Sequence, residues 1–318
     1  MTDNNIDISK ASRGTGPVYD WRITSFVKSV SITEMLEGGD WNPDCRAEYL
    51  ETYLNWVTSS KVSPVTGLEQ FRVQYYVNGV TEAYDIFFLE HKGKRFRTQK
   101  GDYPYVRLSV ENWIHIEDDE LREGDAVILS CPFYCSGGVP ENYQNILDQC
   151  LELDIPVLVD AAYFGTSFDL SFDFSHPAIQ SVAFSLSKFF NVQSFRIGMM
   201  LLKHEIASQE EMQVEANYFN KMGASLGLKL MNRFSPNFMV QQHRESYLAA
   251  CGYLNVNPAH NIMIATIDDD DRRFDKILED TRFPDNNLPD QVERRICISA
   301  YLGYDGTLQE KVVKKIFG

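Results

Sequence analysis

Basic residues are few in this chain. Its 318 residues include 30 lysines and arginines against 45 aspartates and glutamates, which gives a net charge of -15. Nucleic acids bind to positively charged surfaces because their own backbones are anionic. The composition therefore argues against a nucleic-acid partner.

Long apolar runs are also missing. No stretch approaches the roughly 20 apolar residues that a membrane-spanning helix needs, so no membrane association is expected. The first nine residues, MTDNNIDIS, are polar and acidic, and they have neither the basic start nor the apolar centre of a secretory signal. With 44% hydrophobic and 24% charged residues, the chain is typical of a globular protein, and we expect it to be cytoplasmic.

Cysteine is scarce as well. The six cysteines are widely spaced, mostly in apolar segments, at positions 45, 131, 135, 150, 251 and 297. In a chain of this length, such spacing predicts reduced thiols in the core rather than a disulfide framework. Cys131 and Cys135 form one closer pair, but no second pair and no nearby histidine completes a zinc site. No metal is predicted.

Apolar segments alternate with helical patterns through the middle of the chain. Helical spacing is found over residues 46–56, 140–153, 205–232 and 238–253. Strand-like runs are found at 84–91, 105–110, 125–130, 155–160, 180–185 and 197–202. This alternation predicts an α/β fold of three layers, in which a mostly parallel sheet is covered by helices on both faces.

The two ends of the chain differ from its middle. Residues 1–47 are polar and irregular and predict an N-terminal arm, followed by a large domain over residues 48–225. After it, strand-like runs at 261–267 and 295–301 alternate with helical patterns at 270–280 and 307–317, which predicts a small C-terminal α/β domain over residues 226–318.

One lysine stands out in the run SVAFSLSKFFNVQSFRIG, residues 181–198. Lys188 lies in an apolar surrounding, where burial favours the neutral amine that bonding to an aldehyde requires. Ser185 and Ser187 precede it and Arg196 follows eight positions later, and hydroxyl and guanidinium groups both suit a phosphate. An aldehyde and a phosphate together indicate pyridoxal 5'-phosphate (PLP).

Two other segments carry groups that fit the same cofactor. Asp160 ends the apolar run IPVLVD, and a carboxylate at the carboxyl end of a strand could pair with a protonated ring nitrogen. Tyr163 follows three residues later and could reach a ring hydroxyl. Thr66 and Gly67 stand at the start of a predicted helix over residues 67–76, where backbone N–H groups can bind phosphate. Taken alone, a strand-ending aspartate caps a turn, and a Thr-Gly pair forms an ordinary turn.

In this order and spacing the pieces resemble the fold-type I PLP-dependent enzymes, the aspartate aminotransferase superfamily, over residues 40–302. The strongest parts are DIPVLVDAAYFG and SLSKFFNVQSFRIG, the second of which is similar to the family's Ser-x-x-Lys and Arg-x-Gly elements. The resemblance implies that Lys188 forms the Schiff base and Asp160 pairs with the pyridinium. It further implies roles for Tyr163 at the ring hydroxyl and for Ser185 and Arg196 at the phosphate.

The resemblance also implies roles for less similar segments. Thr66, Gly67 and the backbone of Leu68 match the small-residue phosphate loop, although leucine is unusual at its third position. Tyr134 in CPFYCSGG stands where an asparagine normally reaches the ring hydroxyl, and Tyr103 in GDYPY matches the aromatic residue that stacks on the ring. The list of expected cofactor contacts is then Thr66, Gly67, Leu68, Tyr103, Tyr134, Asp160, Tyr163, Ser185, Lys188 and Arg196.

A last segment, RRICISAY, resembles the strand whose arginine binds the substrate α-carboxylate at two points. Its register favours Arg295 over Arg294, and the alternative is an arginine that faces solvent on an edge strand. The family is usually a homodimer with a neighbour's tyrosine at the phosphate. That position falls near Trp41 here, so the dimer is expected from the resemblance only.

The resemblance implies an aminotransferase that uses amino-acid and 2-oxo-acid substrates. Fold and cofactor do not fix the reaction, and a PLP-dependent lyase or other carbon-bond enzyme is the alternative. A third possibility is a PLP-fold protein that binds without turnover. Retention of Lys188, Asp160 and Arg196 argues against it, because such groups are costly to bury without use.

Overall fold

The computed structural model describes residues 8, 10–12, 14–39, 45–274 and 294–302. Trp41, the predicted helix over 307–317 and most of the one over 270–280 lie outside these residues. The helices are α1 (Trp21–Ser29), α2 (Ile32–Gly39), α3 (Cys45–Thr58), α4 (Val80–Glu90), α5 (Tyr105–Ser109), α6 (Tyr143–Glu152), α7 (Ala207–Gln209), α8 (Lys221–Arg233) and α9 (Phe238–Leu254). The strands are β1 (Val65–Thr66), β2 (Val73–Val77), β3 (Arg95–Thr98), β4 (Trp113–His115), β5 (Asp125–Ser130), β6 (Val157–Asp160), β7 (Phe172–Asp173), β8 (Ile179–Ser185), β9 (Gly198–Leu202), β10 (Asn257–Pro258), β11 (Ile264–Thr266) and β12 (Arg295–Cys297).

A seven-stranded sheet organises the fold, with the strand order β2-β9-β8-β6-β5-β3-β4. β9 runs antiparallel to both neighbours, and the other pairs are parallel. Every residue of β5, β6 and β9 is buried. Alternate side chains of β5 pack into different core clusters, Val127 and Leu129 into one and Ala126 and Ile128 into the other. The sheet is therefore covered on both faces, which confirms the predicted three-layer α/β fold.

Three segments before residue 110 differ from the prediction. The run at 84–91 lies mostly in α4, and the run at 105–110 contains α5. In place of the helix expected over residues 67–76, the chain forms a short 3-10 turn at Leu68–Gln70 and then β2. In α4 the buried residues Val80, Ala83, Tyr84 and Phe87 recur at helical spacing. Aromatic and β-branched residues favour a strand, but here packing against the sheet stabilises a helix.

Within the predicted N-terminal arm, residues 21–39 form two helices rather than an irregular segment. α1 begins after Asp20, whose carboxylate accepts hydrogen bonds from the backbone N–H groups of Arg22 and Ile23. α2 begins with a reciprocal pair, in which the Ser31 N–H donates to Glu34 at 2.7 Å and the Glu34 N–H donates to Ser31 Oγ at 3.1 Å. This serine-to-glutamate spacing is a sequence signal for a helix start that the prediction missed.

The C-terminal part carries a three-stranded antiparallel sheet in the order β10-β11-β12. The predicted boundary between residues 225 and 226 falls inside α8, and the division into domains stays a prediction. The six cysteines are buried thiols without disulfides. Within the described ranges, none of the helices has the length and apolar character needed to cross a membrane.

Candidate active site

A half-open cavity lies at the carboxyl-terminal edge of the large sheet. It contains about 680 Å³ of empty space, including its mouth, and its walls include Ser130, Asp160 and Ser185, the last residues of β5, β6 and β8. The carboxyl ends of parallel strands share one edge, which is where open α/β sheets bind ligands. The first turn of α4 closes one side through Val80 and Thr81.

Lys188 lines this cavity, three residues beyond the end of β8. Its Nζ donates a hydrogen bond to the backbone carbonyl oxygen of Thr15 at 2.5 Å. Burial lowers the pKa of Lys188 from its ordinary value, since a buried amine is poorly solvated when charged. The lysine thus has the placement and the tendency toward neutrality that bonding to an aldehyde requires.

Asp160 lines the same cavity, and both of its oxygens have protein partners. Oδ1 accepts a hydrogen bond from the Ala162 N–H at 2.8 Å, and Oδ2 accepts one from the Tyr84 hydroxyl at 3.0 Å. Burial raises the pKa of Asp160 to about 6, against the opposing effect of these two donors. A cationic ring nitrogen beside Asp160 would supply the positive charge that this buried carboxylate lacks among its hydrogen-bond partners.

A corner suited to phosphate lies where α4 begins. Arg196 Nη2 donates to Thr81 Oγ1 at 2.8 Å, and both residues line the cavity. Gly79, the residue before α4, has φ 75°, and a Cβ there would meet Arg196 Nη2 at 2.5 Å. Ser185 Oγ donates to Ser187 Oγ at 2.9 Å on the same cavity wall. A helix N-terminus, a guanidinium and hydroxyls together suit a dianion.

Thr66, Gly67 and Leu68 do not form this corner, which corrects the prediction. Thr66 is exposed, lies on the two-stranded β1–β7 sheet, and donates to Asp173 at 3.1 Å. A Cβ on Gly67 would meet the Ser175 backbone nitrogen at 2.2 Å, and Leu68 packs in the core. The prediction places a helix start at residue 67, whereas the helix whose first turn lines the cavity begins at residue 80.

Three tyrosines predicted to contact the cofactor line the cavity together. The rings of Tyr134 and Tyr163 stack with centroids 5.9 Å apart, and the Tyr103 ring lies 5.4 Å from that of Tyr134. Tyr163 donates from its hydroxyl to Thr15 Oγ1 at 2.8 Å. The structure thus brings all three rings to the place where a planar ligand would stack.

Arg295 is fully buried behind the cavity wall rather than facing solvent. Its Nη1 donates to the Tyr134 carbonyl oxygen at 3.1 Å, and its guanidinium lies 4.1 Å from the Tyr134 ring centroid. Its Nη2 donates to Thr15 Oγ1. Arg294 instead lies 4.5 Å from the Phe274 ring centroid. The register that favoured Arg295 for the inward position is the one the structure has.

A second buried carboxylate, missed in the sequence, lies next to this site. Asp102 accepts hydrogen bonds from the Tyr103 N–H at 2.7 Å, from the Ser130 N–H at 2.9 Å and from the Ser130 hydroxyl. Ser130 is the residue directly opposite Asp160 in the sheet. Burial, and then the charge of Asp160, raise the pKa of Asp102 to about 7. Asp102 lies in the GDYPY segment, directly before Tyr103, and the resemblance assigns a role only to the tyrosine.

This carboxylate predicts a pH dependence of stability in the cofactor-free protein. Between pH 4 and 7 the folded Asp102 holds a proton that the unfolded chain has released, so the free energy of unfolding falls as pH rises through that window. Asp102→Asn removes the titration and reduces the fall between pH 5 and pH 7 by roughly 3 kcal/mol, because that interval covers about two units below the folded pKa. Urea denaturation at pH 5 and pH 8 measures it.

The matched control is Asp154→Asn, since Asp154 is exposed just after α6 and its positive φ suits asparagine as well as aspartate. We expect that variant to keep the wild-type difference in unfolding free energy between the two pH values. An Asp102→Asn protein with the same difference as wild type would show that Asp102 does not titrate in this window.

Comparison with known proteins agrees with the fold. Residues 97–249 match the family model of aminotransferases of class I and II. The fold is similar to that of an aromatic aminotransferase from Pyrococcus horikoshii OT3, with a TM-score of 0.65 and 15% identity over 97% of this chain and 94% of that one. It is similar to a tyrosine aminotransferase from Leishmania infantum, with a TM-score of 0.64 and 12% identity over 96% and 92%.

A PLP-bound structure from Clostridium difficile 630 is also similar, with a TM-score of 0.63 and 13% identity over 95% of this chain and 88% of that one. Among curated proteins, none matches the chain in sequence. The predicted resemblance is confirmed: the chain has the fold of the fold-type I PLP-dependent enzymes over nearly its whole length, and residues 97–249 carry the sequence pattern of class I and II aminotransferases.

Proposed function

We propose that the protein is a PLP-dependent aminotransferase that moves an amino group between an amino acid and a 2-oxo acid. One observation carries the proposal: Lys188, Asp160 and Arg196 all line a single cavity. Each comes from a different strand end or loop, and each supplies a different group that the cofactor needs. The match to the class I and II aminotransferase model favours transamination within PLP chemistry.

The residues present fit the cofactor on three sides. The Thr81 hydroxyl, the Arg196 guanidinium and the first turn of α4 would hold its phosphate. Asp160, with a pKa of about 6, would hold its ring nitrogen in the protonated form. Tyr103 and Tyr134 would flank the ring. When bound, PLP supplies an aldehyde that bonds to an amine and a ring that accepts electron density from the substrate α-carbon.

Lys188 would do two tasks at this site. Its amine would hold the cofactor through the aldehyde, since burial lowers the pKa of Lys188 and favours the neutral form that such a bond requires. When it is not bonded to the cofactor, the Lys188 amine would act as the base that takes and holds a proton from the substrate α-carbon. A positioned base of this kind contributes about 10²- to 10⁴-fold to a rate.

Arg295 would hold the substrate carboxylate. Its planar guanidinium suits two parallel hydrogen bonds to a carboxylate, and stacking on Tyr134 at 4.1 Å fixes the plane. Tyr163 would orient the cofactor through its hydroxyl. The resemblance is the support for a homodimer, and the composition is the support for a cytoplasmic location. Both stay predictions.

A panel of amino acids with a 2-oxo acid acceptor tests the proposal. We expect the purified protein to bind PLP, and at least one amino acid to be converted to its 2-oxo acid while the acceptor gains an amino group. Release of ammonia without amination of the acceptor would indicate the lyase alternative. Failure of the protein to bind PLP would contradict both.

A further inference from the structure

The segment Gly14-Thr15-Gly16 separates the cavity from Arg295. Thr15 lines the cavity, whereas Arg295 is 0% exposed and does not contribute to the cavity wall. The two residues touch, since Arg295 Nη2 donates to Thr15 Oγ1. A carboxylate that enters the cavity therefore meets Thr15 before it can reach Arg295.

The side-chain oxygen of Thr15 accepts hydrogen bonds that a carboxylate ligand would otherwise accept. A hydroxyl has two acceptor lone pairs, and Thr15 Oγ1 accepts from both Tyr163 and Arg295. The other terminal nitrogen of Arg295 donates to the Tyr134 carbonyl oxygen. A two-point contact between a carboxylate and the cavity side of Arg295 thus requires that Thr15 move.

The backbone of Thr15 holds Lys188 at the same time. Its carbonyl oxygen accepts the hydrogen bond from Lys188 Nζ at 2.5 Å. A carbonyl acceptor favours the ammonium form of a lysine, while burial disfavours it. Displacement of Thr15 would therefore release both the carboxylate-binding group and the amine.

The segment has fixed points on both sides and glycines beside Thr15. Upstream, Ser12 and Cys297 exchange backbone hydrogen bonds of 3.2 and 2.7 Å across to β12. Downstream, the Gly16 N–H makes a weak hydrogen bond of 3.4 Å to the Cys297 thiol, and Asp20 caps α1 and pairs with the buried His243 at 3.0 Å. Gly14 and Gly16 can absorb backbone rotation that other residues resist. A short hinge between two anchors permits Thr15 to swing without unfolding the arm.

We propose that Thr15 is a displaceable occupant of the substrate carboxylate position, and that a monocarboxylate binds to Arg295 by replacing it. The inference rests on the proposed function, because it takes Arg295 as the carboxylate-binding residue. It goes further because it gives Thr15 a part in setting substrate affinity, since the ligand must replace the Thr15 hydroxyl in order to bind.

The test compares propionate binding to wild type, Thr15→Val and Thr15→Ser. Valine keeps the shape but cannot accept from Arg295 or Tyr163, so the ligand no longer competes with those hydrogen bonds. We expect propionate to bind at least about fivefold more tightly to Thr15→Val. Thr15→Ser keeps the hydroxyl and should retain the wild-type affinity, as should Thr58→Val, the same change on the exposed surface of α3.

Calorimetry measures this affinity on cofactor-loaded and cofactor-free protein. Weaker or unchanged binding to Thr15→Val would overturn the inference, because a permanent part of the carboxylate site weakens binding when removed. If wild type does not take up PLP, the proposed function fails. The propionate comparison on the cofactor-free protein still decides the role of Thr15.

A second measurement needs no variant. Propionate should increase hydrogen exchange at the backbone amides of residues 14–16 in wild type, while the Ser12 and Cys297 amides stay protected. A decrease at residues 14–16 would show that the segment closes on the ligand, which overturns displacement.

Discussion

Replacing Lys188 with alanine is expected to abolish the visible absorbance band of PLP bound to a lysine amine, and to lower transamination by at least about a thousandfold. The lysine would supply both the covalent bond to the cofactor and the base at the α-carbon. Other amines of the chain can still capture PLP at the surface, so absorbance is measured together with activity. Borohydride reduction of wild type followed by peptide mapping should place the pyridoxyl group on Lys188.

Lys203→Ala is the matched control for that experiment. Lys203 Nζ donates to the Pro177 carbonyl oxygen at 2.6 Å and lies 5.9 Å from the Phe71 ring centroid, away from the cavity lining. We expect this variant to keep the band and the activity. A Lys188→Ala protein that retained both the band and the activity would end the assignment of Lys188.

Replacing Gly79 with alanine is expected to weaken PLP binding at least about tenfold, because it removes the Arg196 contact with the phosphate. The new Cβ would lie 2.5 Å from Arg196 Nη2. Since a guanidinium lies at the end of a flexible side chain, Arg196 can swing away, and it then loses its hydrogen bond to Thr81. Equilibrium dialysis of PLP against the cofactor-free protein measures the affinity.

Gly93→Ala is the control that matches the backbone cost. Both glycines have positive φ, 75° at Gly79 and 92° at Gly93, but a Cβ on Gly93 meets nothing within 4 Å. Both variants should therefore lose stability from backbone strain of order 1–3 kcal/mol, and only Gly79→Ala should lose PLP affinity. Equal affinities in the two variants would contradict a phosphate site at the start of α4.

The same assay separates the corrected site from the predicted one. Thr66→Ala should leave the PLP affinity unchanged, because Thr66 lies on the β1–β7 sheet and bonds to Asp173. Two segments share one local pattern, a glycine directly before a helical turn: Gly67 has it and so does Gly79. The prediction at Thr66 takes the first of them as the phosphate site. A small residue before a helix is a common turn, and only the pairing of β2 with β9 shows which glycine precedes the helix beside Arg196.

The residues near the strand ends were predictable for a simple reason. Asp160 ends a continuous apolar run, and Lys188 follows another, so their positions at one edge of a parallel sheet follow from the alternation of elements. Tyr163 and Ser185 are tied to these residues by short sequence distances. Their shared cavity could thus be expected without knowing any long-range contact.

Other parts of the site depend on contacts between residues far apart in the chain. Thr15 meets Lys188 and Arg295, which are separated from it by more than 170 positions. Tyr84 meets Asp160, and Asp102 meets Ser130, through packing of α4 and of the β3–α5 loop. No periodicity or motif in the sequence indicates which distant hydroxyl or carboxylate fills such a place.

By itself the sequence determined the fold class, the identity of the lysine and aspartate at the strand ends, and the arginine that faces inward on β12. The fold class and the strand-end residues depend on apolar patterning and on short spacing, which are local properties. Arg295 depends on the resemblance of RRICISAY to a carboxylate-binding strand and on its register. The tertiary structure alone decided where the phosphate corner lies and what stands between the cavity and Arg295. Both depend on how α4 and the N-terminal segment pack against the sheet, and packing is a property of the whole chain.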